Sequence, residues 1–584
     1  MKLFKRILLS IFLLLIMGVL VLGLIIKRNS FQLKDWEPLP SMQAMVMPER
    51  PNILLLVAED MSDKVGAFGD ELAHTPNIDE LASIGVRYPN TFTTAGVCAP
   101  SRAALITGIH QISMGGQHMR TSTRPEGAYK CVPPANVKAF PELLRREGYF
   151  TFNTSKQDYQ FSGTGVGSGP FTIWDEENKA NMWRNRQTAQ PFFGMVNFMI
   201  THESGVFTPL GHKPNSLIHF VLQLYRWLSL PGHGDLPNTD PANIELPPYY
   251  PDLPTVRQDV ARHYDNIARM DAQVGNILDK LKQDGLMEST IIIWTTDHGD
   301  GLPRAKRELY DSGIKVPMVI YYPPAFRPAH VHEGGVDERL ISFVDLVPTI
   351  LSAAEAPLPN FLQGQSLLDT TQTFDQIFAS RDRIDEVMDR QRAVRTDRYK
   401  YIRSWYPEQE GGHKLAFRDN LEMMQEIWKL KEANKLSPEQ LLWFQGPGEE
   451  SLFDLENDPH ELVDVSTDTS YTTVLDSMRN ALGSWLTSVE DWSDTPENEM
   501  VAQFQPSGET PVTPAPELSI VEGQLDVAGI EGASIGYKIG DGPWQLYSSL
   551  IPYSLDGEIT VKAVRYGWEE SEEVEVIPEN ILIK

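Results

Sequence analysis

Apolar and polar positions are distributed along this chain in two distinct ways. Several apolar runs end abruptly in carboxylate or imidazole side chains, and between them lie stretches whose apolar residues recur every three or four positions. The first pattern marks strands buried on both faces of a sheet, the second amphipathic helices. Ile53 to Ala58 runs into Glu59-Asp60, Phe192 to Ile200 into Thr201-His202-Glu203, and Ile291 to Thr296 into Asp297-His298-Gly299-Asp300. A helix-like stretch, Phe140 to Tyr149, is closed by Gly148; a short strand through Phe150 to Phe152 follows and leads to Ser155-Lys156-Gln157-Asp158. Ile267, Met270, Val274, Ile277 and Leu281 form a helical stripe within Arg262 to Leu281. This order of strands and helices predicts an α/β fold with a large, mainly parallel central sheet flanked by helices. Open sheets of that kind gather their ligands at the C-terminal strand ends, where these polar residues fall.

The pattern also divides the chain. Ile7 to Ile26 are twenty uncharged, mostly apolar residues between Lys2, Lys5 and Arg6 on one side and Lys27 and Arg28 on the other. That length spans a bilayer, so residues 1–28 are expected to be a membrane anchor, with the folded body outside, in a periplasm or extracellular space, or secreted if the segment is cleaved as a signal. Residues 29–50 read as a tether, 51–370 as the main domain and 371–492 as a smaller C-terminal antiparallel sheet subdomain. Residues 493–516, rich in Pro, Thr, Ser and Glu, have a linker's composition. Ile535, Tyr537 and Ile539, then Ile559, Val561 and Ala563, alternate as in strands, predicting an appended small all-β module over 517–584. Its Trp544, Tyr547 and Trp568 could stack on sugars or fill a core. Leu217 to Leu230 is amphipathic and reads as a helix packed on the body, a lid or a membrane-surface patch.

Composition narrows the function. The 584 residues carry a formal net charge of -28, which argues against nucleic acid as a partner. An anionic substrate would need a local positive pocket within that negative surface. The only cysteines are Cys98 and Cys131, too few for a disulfide framework.

Cys98 opens the stretch Cys98-Ala99-Pro100-Ser101-Arg102, followed by Ala103 to Thr107 and Gly108. A nucleophile is well placed at the start of a helix, where free N–H groups favour developing negative charge. A buried cysteine acting as a small hydrophobe is the bland alternative. The string C-x-P-S-R-x-x-x-x-T-G resembles the signature of the type I, formylglycine-dependent sulfatases of the alkaline phosphatase superfamily, and the resemblance covers about Asn52 to Leu486.

The resemblance implies that Cys98 becomes formylglycine through a formylglycine-generating or other sulfatase-maturing enzyme. The hydrated aldehyde then offers one hydroxyl to attack sulfur and another to expel sulfate. It implies one Ca2+ held by Glu59, Asp60, Asp297 and His298, although the family's first pair is Asp-Asp and this chain has Glu59. Arg102, Lys156, His202 and Lys306 would neutralise the sulfate, Lys306 by its spacing to Tyr310. Where relatives carry a histidine two residues after the lysine, this chain has Asp158. Ser101, Asp158, His118 and Arg120 are candidate substrate contacts. The expected activity is hydrolysis of sulfate esters on a sulfated carbohydrate, marine or host. The rivals are a phosphodiesterase or phosphonate hydrolase of the same superfamily, and a non-catalytic glycan-binding protein on a sulfatase fold.

Overall fold

The computed structural model describes Gly18 and residues 48–582, apart from 122–123, 125, 230–233, 554–557 and 578–580. Its centre is an eight-stranded sheet of β1 (Asn52–Ala58), β2 (Val86–Phe92), β3 (Phe150–Asn153), β4 (Glu176–Glu177), β5 (Phe192–Phe198), β6 (Thr290–Thr296), β7 (Lys315–Tyr321) and β8 (Ile341–Ser342). The spatial order is β4-β3-β5-β1-β6-β7-β2-β8. β1 lies parallel to β5 on one side and to β6 on the other. β7 runs antiparallel to both β6 and β2, so the sheet is mixed rather than uniformly parallel. The connection from Asp297 to Ile314 stays at one end of the sheet, and a strand that returns without a crossover must run back antiparallel.

Every residue of β1 is buried, as a strand covered on both faces requires. Ile53, Leu55 and Val57 share one core with residues of α2 (Cys98–Thr107), α3 (Phe140–Arg146) and α6 (Leu346–Ala353). Leu54, Leu56 and Ala58 point the other way, toward α1 (Pro76–Ile84) and α5 (Pro254–Gln283), where the Ile267-to-Leu281 stripe is buried. Between those helices in sequence, α4 (Leu217–Ser229) buries a polar face, His219 and Gln223, and leaves Leu217, Ile218, Phe220, Val221 and Trp227 exposed.

A second sheet, β12-β11-β10-β9, joins β9 (Ile377–Arg381), β10 (Gln391–Arg395), β11 (Tyr399–Ser404) and β12 (Glu450–Asp454), all antiparallel. α7 (Thr472–Ser488) covers it with Leu475, Met478, Leu482 and Trp485. Within 493–516 the chain folds into α8 (Glu497–Phe504) instead of running extended; Met500 and Phe504 enter the main core.

The C-terminal module consists of two four-stranded sheets, β17-β14-β13-β20 and β16-β15-β18-β19, built from β13 (Glu517–Val521), β14 (Gln524–Ala528), β15 (Ala533–Ile539), β16 (Gln545–Leu546), β17 (Ile551–Pro552), β18 (Ile559–Arg565), β19 (Val574–Glu575) and β20 (Ile581–Leu582). The sheets share one apolar core. Buried Glu142 of α3 ties the module to the main body, accepting from Ser534 Oγ at 2.7 Å and Tyr566 OH at 2.8 Å. Trp544 packs edge-on against Phe171 and Tyr566 stacks on Phe161. Tyr547 OH accepts from Val527 N and Trp568 is half-buried.

The expected membrane anchor, and with it the membrane as partner and an anchored location, is corrected. Among the described residues no helix is long and apolar enough to cross a membrane. The segment Ile7 to Ile26 that prompted the expectation lies, but for Gly18, outside the described residues. A long apolar run shows only that a span is possible.

Candidate active site

Three strand ends meet at the site. Asp297 N donates to Ala58 O and Glu59 N to Phe198 O, which locks the turns after β6, β1 and β5 together. Asp60 turns there with φ of 47°, a left-handed conformation in which a short polar side chain is tolerated. Asp60 N donates to Asp297 Oδ1 at 3.1 Å, and Asp60 Oδ2 accepts from Glu203 N at 2.7 Å. Glu203, which the sequence reading did not single out, thus orients a central carboxylate through its backbone. Its side chain takes both terminal nitrogens of Arg307 at 2.9 Å.

Cys98 sits at the first turn of α2, all of which is buried. Its Sγ lies 3.4 Å from His298 Nε2, 3.4 Å from Lys306 Nζ and 3.7 Å from Asp60 Oδ1. Gly96 lets the Lys306 loop come this close. A Cβ there would stand 2.3 Å from Glu308 O, and Arg307 N donates to Gly96 O at 2.6 Å. Burial raises the Cys98 pKa, but the Lys156 and Lys306 charges outweigh it and hold the thiol below its ordinary value.

Opposite charges are paired within the pocket. Arg102 is fully committed: Nη2 to Glu59, Nε to Asp297 Oδ2 at 3.0 Å and Nη1 to Asn197 Oδ1 at 2.7 Å. Lys156 Nζ donates to Glu59 Oε2 at 2.6 Å, and Lys306 pairs with Asp60. His298 Nε2 lies 2.9 Å from Asp60 Oδ1. Burial opposes its charge, yet Asp297 and Asp60 push its pKa up to about 10. Against burial, His298 and Arg102 hold Asp297 at about 2. Four basic side chains, Arg102, Lys156, Lys306 and the protonated His298, thus face three carboxylates, Glu59, Asp60 and Asp297.

The donor set fits a hard cation. Asp60, Cys98, Asp297 and His298 offer ligand atoms within 4.8 Å of one another, as do Glu59, Asp60, Cys98 and His202. Oxygen-rich convergence of this kind suits Ca2+. Such an ion would hold the carboxylates and leave the lysine ammoniums to an anion.

The remaining candidates separate. His202 Nδ1 accepts from Ser204 N at 3.3 Å, which places the ring proton on Nε2, and burial lowers its pKa to about 4. Ser101 Oγ is spent on Asp297 O and Thr93, as a brace behind the turn that carries Asp297. Arg120 Nη2 donates to Asp158 Oδ2 at 2.8 Å, and Asp158 lies 3.7 Å from Lys156 Nζ; the two line the rim. His118 is buried away from the cluster, beside Glu497 and Arg383. Asn197 was missed, while Arg307, the neighbour that competes with Lys306 in the sequence, is spent on Glu203. Asn197 sits inside an apolar strand and carried only its polarity as a signal.

A mixed sheet whose strand ends converge on a buried cysteine, acids and basic side chains is the arrangement the sequence resemblance led one to expect. Residues 51–356 match the family model Sulfatase, and residues 304–442 match N-sulphoglucosamine sulphohydrolase, C-terminal. An ulvan-active sulfatase of Formosa agariphila is 39% identical over 557 residues, covering 91% of this chain and 92% of that protein. Human N-sulphoglucosamine sulphohydrolase is 25% identical over 501 residues, 78% of this chain and 94% of its own. Among solved structures, a 2-O GAG sulfatase superposes with a TM-score of 0.53 at 20% identity, covering 77% of this chain and 94% of that one. The chain belongs to the sulfatase family and is a sulfuric ester hydrolase.

Proposed function

We propose that this enzyme hydrolyses sulfate esters of a sulfated polysaccharide at a formylglycine derived from Cys98, with one calcium ion held by Glu59, Asp60, Asp297 and His298. The observation that carries this is the placement of Cys98 at the start of α2, with Lys306 and His298 each 3.4 Å from its Sγ. When present, hydrated formylglycine supplies the attacking and releasing hydroxyls, and the cation supplies positive charge against the sulfate oxygens.

The chain's own groups do the rest. Arg102 keeps Glu59, Asp297 and Asn197 in one arrangement. Lys306 holds its ammonium 3.4 Å from residue 98 and Lys156 adds a second positive charge from its place on Glu59, and both neutralise charge on the sulfuryl group. His202, neutral with its proton on Nε2, presents that N–H toward the same space and can donate a hydrogen bond to a sulfate or leaving-group oxygen. Asp158, tied to Arg120, shapes the rim. The names of the ulvan-active and N-sulphoglucosamine relatives support a polysaccharide substrate. Residues 51–370 and 371–492 together make the catalytic unit in this reading, with 517–584 as an appended module.

The test is mass spectrometry of the Cys98 peptide from protein made in a host with a sulfatase-maturing enzyme, paired with hydrolysis of 4-nitrophenyl sulfate. Formylglycine together with turnover is the expected result. Unmodified Cys98 in a fully active enzyme overturns the mechanism.

A further inference from the structure

Lys306 stands on a stretch with no regular structure of its own. From Gly301 to Tyr310, between β6 and β7, the chain runs as turns and bends, buried at every residue but the last. Arg304 and Arg307, on either side of Lys306, have φ of 58° and 79°, left-handed angles that long side chains keep only where their surroundings over-determine them. The ammonium nevertheless holds one position, 3.4 Å from Cys98 Sγ.

The second sheet and the loops around it grip this stretch both before and after Lys306. Before it, Arg304 Nη2 donates to Glu461 O at 2.7 Å. After it, Glu308 accepts from Arg381 at the end of β9 and, at 3.0 Å, from Trp443 Nε1. Lys400 of β11, with no exposed surface, donates to Leu309 O at 3.0 Å and lies 2.5 Å from Asp311 Oδ1 and 2.7 Å from Glu461 Oε1. Glu461 Oε2 accepts in turn from Asp311 N at 2.6 Å. Beneath these contacts Leu309 and Ile314 share an apolar core with Ala379, Ala393, Ile402 and Phe453, one from each strand of the second sheet. A buried ion pair is a weak source of stability, because desolvation offsets its attraction. What these pairs add is a fixed geometry for a stretch that lacks one.

We infer, on the role given to Lys306 above, that Glu308 and Lys400 are positioning residues for the reaction: through them the second sheet sets where the Lys306 ammonium stands relative to residue 98. Misplacing a catalytic group by about 1 Å can cost about 10² in rate with the group itself still present.

A double-mutant cycle on the full-length, matured enzyme tests this, with 4-nitrophenyl sulfate as substrate. Glu308→Gln keeps the shape and removes the charge that Arg381 holds, and Lys400→Met keeps the stem and removes the ammonium. Each is expected to lower kcat at least about tenfold while KM stays within about twofold, in protein that urea unfolding shows to be folded. In the Lys306→Met background the same substitution should cost less than about twofold, because the group it positions is gone. A general loosening of the fold would lower activity by the same factor in both backgrounds. If Lys400→Met does not fold, Glu308→Gln decides alone.

Equal losses in the two backgrounds, or a kcat for Glu308→Gln within about twofold of the unaltered enzyme, would overturn the inference and leave the role of Lys306 intact. A fall of less than about tenfold in Lys306→Met alone would instead remove that role, and the positioning with it.

Discussion

Lys306 Nζ donates to Cys98 Sγ across 3.4 Å while also pairing with Asp60. One ammonium therefore touches both the reacting residue and a metal-ligand candidate. Lys306→Met keeps the volume but removes the charge, and kcat for 4-nitrophenyl sulfate is expected to fall by about 10²–10³, the usual loss when a preorganised charge is taken from a transition state. A fall below about tenfold would remove Lys306 from the chemistry.

Glu59 neutralises Arg102 and Lys156 together, and neither cation reaches solvent. Glu59→Ala leaves Arg102 with Asp297 and Lys156 with the more distant Asp158 and Asp297, and the expected destabilisation is about 3–5 kcal/mol by denaturant unfolding. Glu59→Gln keeps the contacts and should cost less. Equal stability of all three proteins would show that the pairing contributes nothing.

Calcium should both stabilise and activate. A site where three carboxylates are already balanced by bases gains a dication only by releasing those bases, so binding shows as a rise in Tm that grows with free calcium. EGTA treatment is expected to lower Tm and abolish turnover, and calcium to restore both; insensitivity of both to EGTA contradicts the assignment.

Glu142 makes docking of the module pH-dependent. Burial would raise its pKa, but Lys138, Arg146 and the hydroxyls of Thr172 and Ser534 hold it at about 2. A folded-state pKa below the unfolded value of about 4.3 adds stability above that value, and the gain is lost as the pH falls toward 2. Limited proteolysis should accordingly release a fragment near residue 510 more readily at about pH 3 than at about pH 6, and Glu142→Gln should flatten that difference. A pH-independent cleavage pattern would count against Glu142 as the tie.

The strand ends were legible because both-face burial demands unbroken apolar runs, and the first polar residues after each run must emerge at the sheet's edge. That placed Asp60, His202 and Asp297 in one region. What joins them was not legible, since the partner of Arg102 could be any acid and Asn197 looks like an interruption in a strand. Residues 493–516 misled by composition: Pro, Ser and Thr dominate, yet Met500 and Phe504, four apart, are enough to pin α8 to the core. Glu142 read as an ordinary first-turn acid because its partners, Ser534 and Tyr566, lie 392 and 424 residues away.

Cys98 has no exposed surface, and the ten residues of its helix are all buried with it. If Cys98 is converted as proposed, a modifying enzyme has no access to its side chain in the finished fold. Conversion would then have to precede folding of this stretch, and the order of the two events during synthesis would decide the fate of each molecule. On that reading the share of unmodified protein should shrink when the maturing enzyme is abundant as chains emerge and stay fixed when that enzyme arrives afterwards.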